Sequence, residues 1–138
     1  MLRLELKNIL KFSGLTVTKN RLRVLNVFLN IQKPLSVKDI RSSLKDLDRV
    51  TLFRILAIFE RSKLIHPIHL DNGQRLYAMC SHQCNTAENH IHDHIHFHCE
   101  KCDDVSCLSI DKFPTLSAPN YLFKNVNITV SGLCSDCN

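Results

Sequence analysis

The sequence predicts an α+β fold, in which an N-terminal winged helix is followed by a small α/β domain that contains zinc. Three observations lead to this prediction. Four segments of helical periodicity precede an Asn-Gly turn between two apolar runs, which is the pattern of a helix-turn-helix unit with a β-hairpin. Charge divides sharply between the two halves, and two Cys-x-x-Cys pairs occur only in the second. We place the winged helix at residues 1–79, a linker at 80–93 and the second domain at 94–138.

Four helices are predicted in the first domain from the spacing of their apolar residues. Thr18, Ser36 and Asp48 stand before three of these segments, and their side chains can accept hydrogen bonds from the first free backbone amides of a helix. Ser36 together with Asp39 resembles a capping box. The predicted helices span residues 2–12, 19–31, 37–46 and 49–63.

Strands are predicted where β-branched and aromatic residues alternate with polar ones. Asn72-Gly73 connects the two strands of the hairpin, at residues 64–70 and 74–79. In the second domain we expect strands at 94–99, 105–110 and 121–130. Cys107 is expected in the core, because an unpaired cysteine behaves as a small apolar residue.

Basic residues are concentrated in the first half of the chain, whereas cysteines occur only in the second. Residues 1–70 contain 14 Lys and Arg against 5 Asp and Glu, whereas residues 71–138 contain 4 against 8. All seven cysteines follow residue 79. The basic half is therefore a candidate for binding a polyanion such as DNA, and the acidic half for binding cations. The alternative is that surface charge simply drifts along a small protein.

The sequence predicts a cytoplasmic protein with no membrane partner. No apolar run approaches the roughly 20 residues needed to cross a bilayer, and the N-terminal residues lack the apolar core and cleavage site of a signal peptide. An odd number of cysteines, seven, argues against a disulfide framework. Apolar content of 44% and charged content of 22% are those of a folded domain.

The fourth helix is predicted to enter the major groove of DNA, because the second helix of a helix-turn-helix unit is the recognition helix. Phe53 on this helix is expected to pack either on a thymine methyl group or in the core. Any single cation can equally be a solvated surface charge. The predicted contacts are Arg49, Thr51, Leu52 and Arg54 to bases, Arg75 from the wing, and Lys19 with Arg21 or Arg23 to phosphates.

Two Cys-x-x-Cys pairs predict a structural zinc site. Cys99, Cys102, Cys134 and Cys137 provide four thiolates at the pair spacing of a tetrahedral Zn²⁺ site. Zinc bound there would join the end of the chain to the start of the second domain and would contribute to folding. The alternative is four free buried cysteines.

Five histidines at alternate positions from His90 to His98 predict a second metal site. Alternate residues of a strand share one face, so His94, His96 and His98 are expected side by side. Imidazole binds Zn²⁺, Fe²⁺, Ni²⁺ and Cu²⁺, and the ligand set decides among them. The alternative is a run of surface histidines that binds metal without a function.

Two other classes of protein are alternatives to a DNA-binding regulator. Zinc hydrolases and deaminases need patterns such as His-Glu-x-x-His or His-x-Glu with Pro-Cys-x-x-Cys, and the sequence contains neither, so we expect no enzyme activity and no small-molecule substrate. A metal-buffering or chaperone protein would explain the histidines but would leave the basic winged-helix half without a role.

These motifs, in this order, resemble the ferric uptake regulator (Fur) family of metal-responsive repressors over nearly the whole chain. The resemblance implies a homodimer with N-terminal winged helices and C-terminal dimerisation domains, which binds AT-rich inverted repeats of double-stranded DNA when loaded with metal. The matching segments are Gly14-Leu15-x-Val17-Thr18-x-x-Arg21, Leu35-Ser36, Val50-Thr51-Leu52-Phe53-Arg54-x-Leu56, Gly73 with Tyr77, His94-x-His96-x-x-Cys99-x-x-Cys102 and Gly132-x-Cys134-x-x-Cys137.

Departures from the family pattern favour its zinc-sensing (Zur) branch. Pro34, Ala78 and Val126 stand where iron-sensing members tend to have metal ligands, whereas Tyr77-x-x-Cys80 is similar to zinc-sensing members. Phe53 replaces the usual tyrosine. The resemblance implies a regulatory site, for Zn²⁺ or Fe²⁺, that bridges the two domains, and an iron- or peroxide-sensing member is the alternative. The implied ligands are His66, Cys80, His94 and His96, with His82, Cys84, His90 and His92 as possible additional ligands.

Overall fold

The computed structural model describes residues 3–79, 94–109, 116–123 and 126–138. The chain divides into two compact units, residues 1–81 and 82–138. The predicted linker, residues 80–93, lies outside the described residues. No helix in the described ranges is long and apolar enough to cross a bilayer.

Four helices begin the first unit, and their starts follow from local hydrogen bonds. The Thr18, Ser36 and Asp48 side chains each accept a hydrogen bond from the backbone N–H three residues further on, as predicted for N-caps. Ser36 and Asp39 form a complete capping box, since Asp39 in turn accepts from the Ser36 backbone N–H at 2.9 Å. The helices are α1 (Arg3–Phe12), α2 (Lys19–Ile31), α3 (Val37–Ser43) and α4 (Arg49–Arg61).

The third and fourth helices end earlier than the sequence predicts. After α3, the backbone of Leu44 leaves the helical region with φ −127° and ψ 63°, and Leu44 and Leu47 both turn into the core. After α4, Lys63 adopts the left-handed region with φ 62°, which stops helical propagation. The predicted ends at residues 46 and 63 are therefore wrong by three and two residues.

A β-hairpin completes the winged helix. Strands β1 (Ile65–His69) and β2 (Arg75–Met79) pair antiparallel, with Ile65 opposite Met79 and His69 opposite Arg75. Gly73 in the turn has φ 83°, a value that suits glycine. Leu35 adds a short bridge to the hairpin, because Leu35 and Tyr77 exchange two backbone hydrogen bonds of 2.8 Å. The segment that precedes α3 is thereby fixed to the wing.

The core of the first unit lies between the four helices and the β-hairpin. On α4 the buried positions are Leu52, Ile55, Leu56 and Phe59. Removing such side chains from water contributes about 1.5–3 kcal/mol each. Val50 and Phe53, which the helical pattern also assigns to the apolar face, are instead exposed. The first turn of α4 therefore presents part of its apolar surface to solvent.

The described part of the second unit contains a three-stranded sheet with the order β4-β3-β5. Strand β3 (His94–Cys99) pairs antiparallel with β4 (Val105–Ser109) and parallel with β5 (Thr129–Gly132). The first two strands agree with the prediction. The strand predicted at 121–130 is wrong over most of its length, since residues 121–123 and 126–128 form no strand and β5 begins at Thr129.

Candidate metal centre and nucleic-acid interface

The four paired cysteines meet at one end of the sheet. Strands β3 and β5 are parallel neighbours with Cys99 opposite Gly132, so the chain leaves both strands at the same end. Each exit turn carries one Cys-x-x-Cys pair. The sulfur atoms of Cys99, Cys102, Cys134 and Cys137 all lie within 4.8 Å of one another.

The spacing of these sulfur atoms fits zinc. Four thiolates at the usual Zn–S distance of about 2.3 Å stand about 3.8 Å apart in a tetrahedron. The Sγ atoms of Cys102 and Cys134 are 3.9 Å apart. Cys99 is buried, and the backbone N–H of Cys134 donates to its Sγ at 3.4 Å. The donor set and its separation therefore match a closed, structural tetrahedral site.

Hydrogen bonds to the sulfur atoms divide the cluster into easily and poorly ionised thiols. The backbone N–H groups of Cys102 and Cys134 lower the pKa of Cys99 to about 6. In contrast, the hydrogen bond with the Cys134 side chain, together with burial, raises the pKa of Cys137 to about 12. One negative charge thus forms readily, and further charges beside it are opposed. A divalent cation at the centre would offset this repulsion and allow all four thiolates to form.

An aspartate in the left-handed region shapes the turn that holds the first cysteine pair. Asp103 has φ 63°, and its backbone N–H donates to the Cys99 carbonyl at 2.9 Å. Its carboxylate lies 2.5 Å from Nε2 of His98, which is largely buried. This side-chain contact connects β3 to the turn that positions Cys102. The sequence singled out His98 as part of the histidine run and did not identify Asp103.

The predicted regulatory ligands are only partly within the described residues. His66 lies on β1 of the first unit with 8% of its surface exposed, and His96 lies on β3 of the second with 5% exposed. The backbone of His94 is described, two residues before His96. Cys80, like the possible additional ligands His82, Cys84, His90 and His92, falls outside the described residues. His66 and His96 therefore belong to different units, and each is buried within its own.

Strand pairing adds Cys107 to the histidine face. Cys107 stands directly opposite His96 across the β3–β4 pair. Side chains of directly opposed residues point to the same face, with Cβ atoms about 4.5–5.5 Å apart. The Cys107 side chain is exposed, so the prediction that it lies in the core is wrong. Cys107 faces His96 only because of the register of the β3–β4 pair, which the sequence alone does not give.

The first two turns of α4 present most of the predicted DNA-contacting side chains. Arg49, Phe53 and Arg54 are exposed, and the Arg49 guanidinium lies 5.4 Å from the centre of the Phe53 ring, a cation–π distance. Thr51 is half-buried, and its hydroxyl donates to Asp48. Leu52 has no exposed surface. It belongs to the core, because it is on the inward face of the helix, so the prediction that it contacts bases is wrong.

The other predicted DNA contacts differ in whether their side chains already bond to other groups of the protein. Arg75 makes two bonds to the Glu60 carboxylate, at 3.0 and 3.1 Å, and stacks on Tyr77. It therefore ties β2 to α4. Arg21 donates to the Thr16 carbonyl at 2.8 Å. Arg23 pairs with Asp46. Lys19 is exposed at the first position of α2.

Comparisons with known proteins agree on one family. The Ferric uptake regulator family model matches residues 12–131. The ferric uptake regulation protein of Neisseria meningitidis serogroup A (strain Z2491) is 28% identical over an alignment of 138 positions. The alignment covers 93% of this chain and 90% of that protein. The match thus extends through both units.

Two solved structures share the fold and cover nearly the whole chain. The Vibrio cholerae ferric uptake regulator has a TM-score of 0.64 at 22% identity, over 93% of this chain and 98% of that one. Holo XcZur has the same TM-score at 18% identity, over 98% and 97%. The predicted fold, an N-terminal winged helix followed by a second domain with a β-sheet, is confirmed. The equal scores do not separate the iron-named from the zinc-named structure.

Proposed function

Because this chain belongs to the ferric uptake regulator family, whose members are metal-dependent DNA-binding regulators and not enzymes, we propose that it is a zinc-sensing repressor of metal-homeostasis genes. Homodimers are typical of the family. The observation that carries the choice of a bridging metal is the burial of His66 and His96, one in each compact unit. The winged helix would supply the DNA-binding surface, and the regulatory metal would take ligands from both units.

We propose that Cys99, Cys102, Cys134 and Cys137 hold a structural zinc ion. The 4.8 Å limit on their mutual sulfur distances supports this, as does the closed set of four thiolates with no open position for a substrate. The ion would join the turns after β3 and β5. Because a small three-stranded sheet buries little apolar surface, this link is expected to supply much of the second unit's stability.

We propose His66, Cys80, His94 and His96 as the regulatory site, for zinc or, alternatively, iron. Burial and strand geometry hold His66 and His96 in place before metal binds, which reduces the entropy lost on binding. Cys107 is a further candidate, since it is opposed to His96. Either cysteine would supply the thiolate that favours zinc over iron.

The regulatory ion would control DNA binding by limiting the angle between the two units. A dimer must place its two recognition helices about 34–36 Å apart, or a multiple of this, to reach successive major grooves on one DNA face. Without the ion, the dimer would sample many angles and bind more weakly. A dimer with two-fold symmetry would match an operator that is an inverted repeat. We propose that this operator is AT-rich.

Metal analysis with stepwise chelation, while duplex binding is followed, tests this proposal. We expect two zinc ions per chain, of which one leaves easily together with DNA affinity and one is retained. A single retained zinc, with DNA binding restored by iron or manganese, would move the protein to the iron- or peroxide-sensing alternative. Metal binding with no salt-dependent affinity for duplex DNA would instead indicate a metal-buffering protein.

The two candidate thiolates can be separated by substitution. Cys80→Ala and Cys107→Ala, measured side by side in Co²⁺-loaded protein, report sulfur ligation through the near-ultraviolet thiolate band. We expect Cys80→Ala to remove the part of this band that comes from Co²⁺ in the regulatory site. The same substitution should make DNA binding independent of metal. If Cys107→Ala has that effect and Cys80→Ala has none, the site is built on β4 and the Cys80 assignment is wrong.

A further inference from the structure

An open groove of about 500 Å³ lies between α3 and the start of α4. Four of its six lining side chains are cations, and three of these cations, Lys38, Arg41 and Lys45, are absent from the predicted DNA contacts. The fourth, Arg49, opens the recognition helix. The lining residues are Val37, Lys38, Arg41, Ser42, Lys45 and Arg49.

Two of these cations share one face of α3. Lys38 and Arg41 are three residues apart on the helix, an interval that places side chains above one another. Ile40 of the same helix is buried in the core. Lys45 lies in the turn after α3 ends at Ser43, and it lines the same groove. Helix α3 and the turn after it therefore present a basic surface to the groove.

The acidic residues near the groove are occupied elsewhere. Asp39 bonds the backbone N–H and hydroxyl of Ser36, Asp46 pairs with Arg23 and Asp48 caps α4. Within the part of the chain that the structure describes, Lys38, Arg41 and Lys45 form no ion pair. Four like charges around one groove repel each other unless an anion lies between them.

We propose that this groove binds the phosphate backbone of duplex DNA beside the major groove that α4 enters. Lys38, Arg41 and Lys45 are then phosphate contacts that position the recognition helix. The first helix of a helix-turn-helix unit crosses the backbone when the second enters the groove, and Arg49 belongs to both surfaces. The groove is open, which suits a continuous polyanion. This inference rests on the proposed function, and it names the residues that would hold the winged helix to the DNA backbone.

The salt dependence of DNA binding tests the groove directly. The groove variant is Lys38→Gln with Arg41→Gln and Lys45→Gln, and the control variant is Lys11→Gln with Lys33→Gln and Arg61→Gln. Both sets remove two lysines and one arginine from exposed positions in the first unit, so they change the net charge equally. Glutamine has nearly the helix propensity of lysine and arginine, so both variants are expected to fold. Circular dichroism confirms this before the binding measurement.

Affinity for a fluorescein-labelled, mixed-sequence duplex is measured by anisotropy across a salt series on zinc-loaded protein. The slope of log affinity against log salt should fall by about 0.9 for each phosphate that the variant no longer neutralises, summed over both protomers. We expect this fall in the groove variant and a much smaller one in the control.

Equal slopes in the two variants would overturn the inference and leave the proposed repressor intact, because net charge alone would then explain the weaker binding. A groove variant with the wild-type slope would do the same. Wild-type protein that binds inorganic pyrophosphate in the groove but no duplex would overturn both the groove assignment and the proposed function.

Discussion

The turn after β3 depends on one residue whose backbone conformation is unusual for its type. Asp103 occupies the left-handed region, which costs an L-residue other than glycine about 1–2 kcal/mol. Aspartate tolerates this region better than most residues because its short polar side chain can bond locally. Here that side chain contacts His98. Its carboxylate is largely exposed, so the contact matters for geometry more than for net charge attraction.

Replacing Asp103 by alanine is expected to loosen the four-cysteine site. Asp103→Ala keeps the backbone strain and removes the carboxylate that bonds His98, so zinc should dissociate faster and the second unit should lose about 1 kcal/mol of stability. Asp103→Gly is the matched control, since glycine adopts a positive φ without strain. Zinc release measured with a chromogenic chelator checks this. Equal rates for wild type and Asp103→Ala would show that the turn does not depend on the side chain.

Arg54 is expected to carry part of the sequence specificity. It is exposed on α4 and makes no ion pair with the residues that the structure describes. Arg54→Ala should reduce affinity for an operator duplex by about 1–3 kcal/mol, with a smaller reduction on mixed-sequence DNA. Arg61→Ala, at the other end of the same helix, is the control. Equal reductions on both duplexes would make Arg54 a phosphate contact.

The elements of the first unit are positioned by caps and by one cross-link between α4 and the wing. Asp48 accepts hydrogen bonds from the side chain and backbone N–H of Thr51, which lower the pKa of its carboxyl below the usual 3.8. Arg75 Nη2 donates to both carboxylate oxygens of Glu60, which joins the wing to the same helix. The cap determines where α4 begins, and the contact between Arg75 and Glu60 links the helix to the wing.

Acid is expected to weaken the start of α4. Because the folded-state pKa of Asp48 is depressed, its stabilising effect is fully present above about pH 4 and is lost as the pH falls through the folded value. Asp48→Asn retains a good N-cap without the charge. The difference in free energy of unfolding between wild type and Asp48→Asn should therefore be largest near neutral pH and should narrow below about pH 4. A difference that stays constant with pH would show that the charge contributes nothing.

The two units differ in how much apolar surface they bury within the chain. The first has a continuous core drawn from four helices and the β-hairpin. The described part of the second has a small sheet, the cysteine cluster and several exposed apolar side chains. These include Tyr121, Leu122 and Phe123, of which Leu122 is 85% exposed. In a family of homodimers, such residues are expected to lie between protomers.

Removing zinc from the cysteine cluster is expected to unfold the second unit first. Structural zinc contributes on the order of 10 kcal/mol to folding in zinc-finger peptides, and the first unit has its own core. Hydrogen exchange after strong chelation should therefore show reduced protection in β3 to β5 and retained protection in α1 to α4. Simultaneous loss of protection in both units would contradict separate stability.

A charge at Leu122 is expected to weaken the dimer. Leu122→Asp would place a carboxylate among the exposed apolar residues, and burying it without a partner costs free energy. Analytical ultracentrifugation should then show a larger share of monomer. Leu4→Asp is the control, because Leu4 is also exposed, at 67%, but lies on α1 of the first unit. An unchanged dimer would place the interface elsewhere.

The features that could be predicted from the sequence depend on contacts between near neighbours or on repeated spacing. Three N-caps followed from side chains that bond backbone amides three residues away. The hairpin followed from Asn72-Gly73. The cysteine pairs were recognisable because metal chemistry requires that spacing, although it does not indicate which strands bring the pairs together.

The remaining features depend on packing between distant segments. Leu52 and Phe53 are adjacent apolar residues, and only the direction of the core decides that the first is buried and the second exposed. Cys107 faces His96 because of the β3–β4 register, and Arg75 meets Glu60 across fifteen residues. The basic groove likewise exists because cations of α3, of the turn after it and of the start of α4 come to line one surface. Spacing along the chain determines which residues share a face of a helix or strand. Burial of apolar surface decides whether that face points into the core or toward solvent.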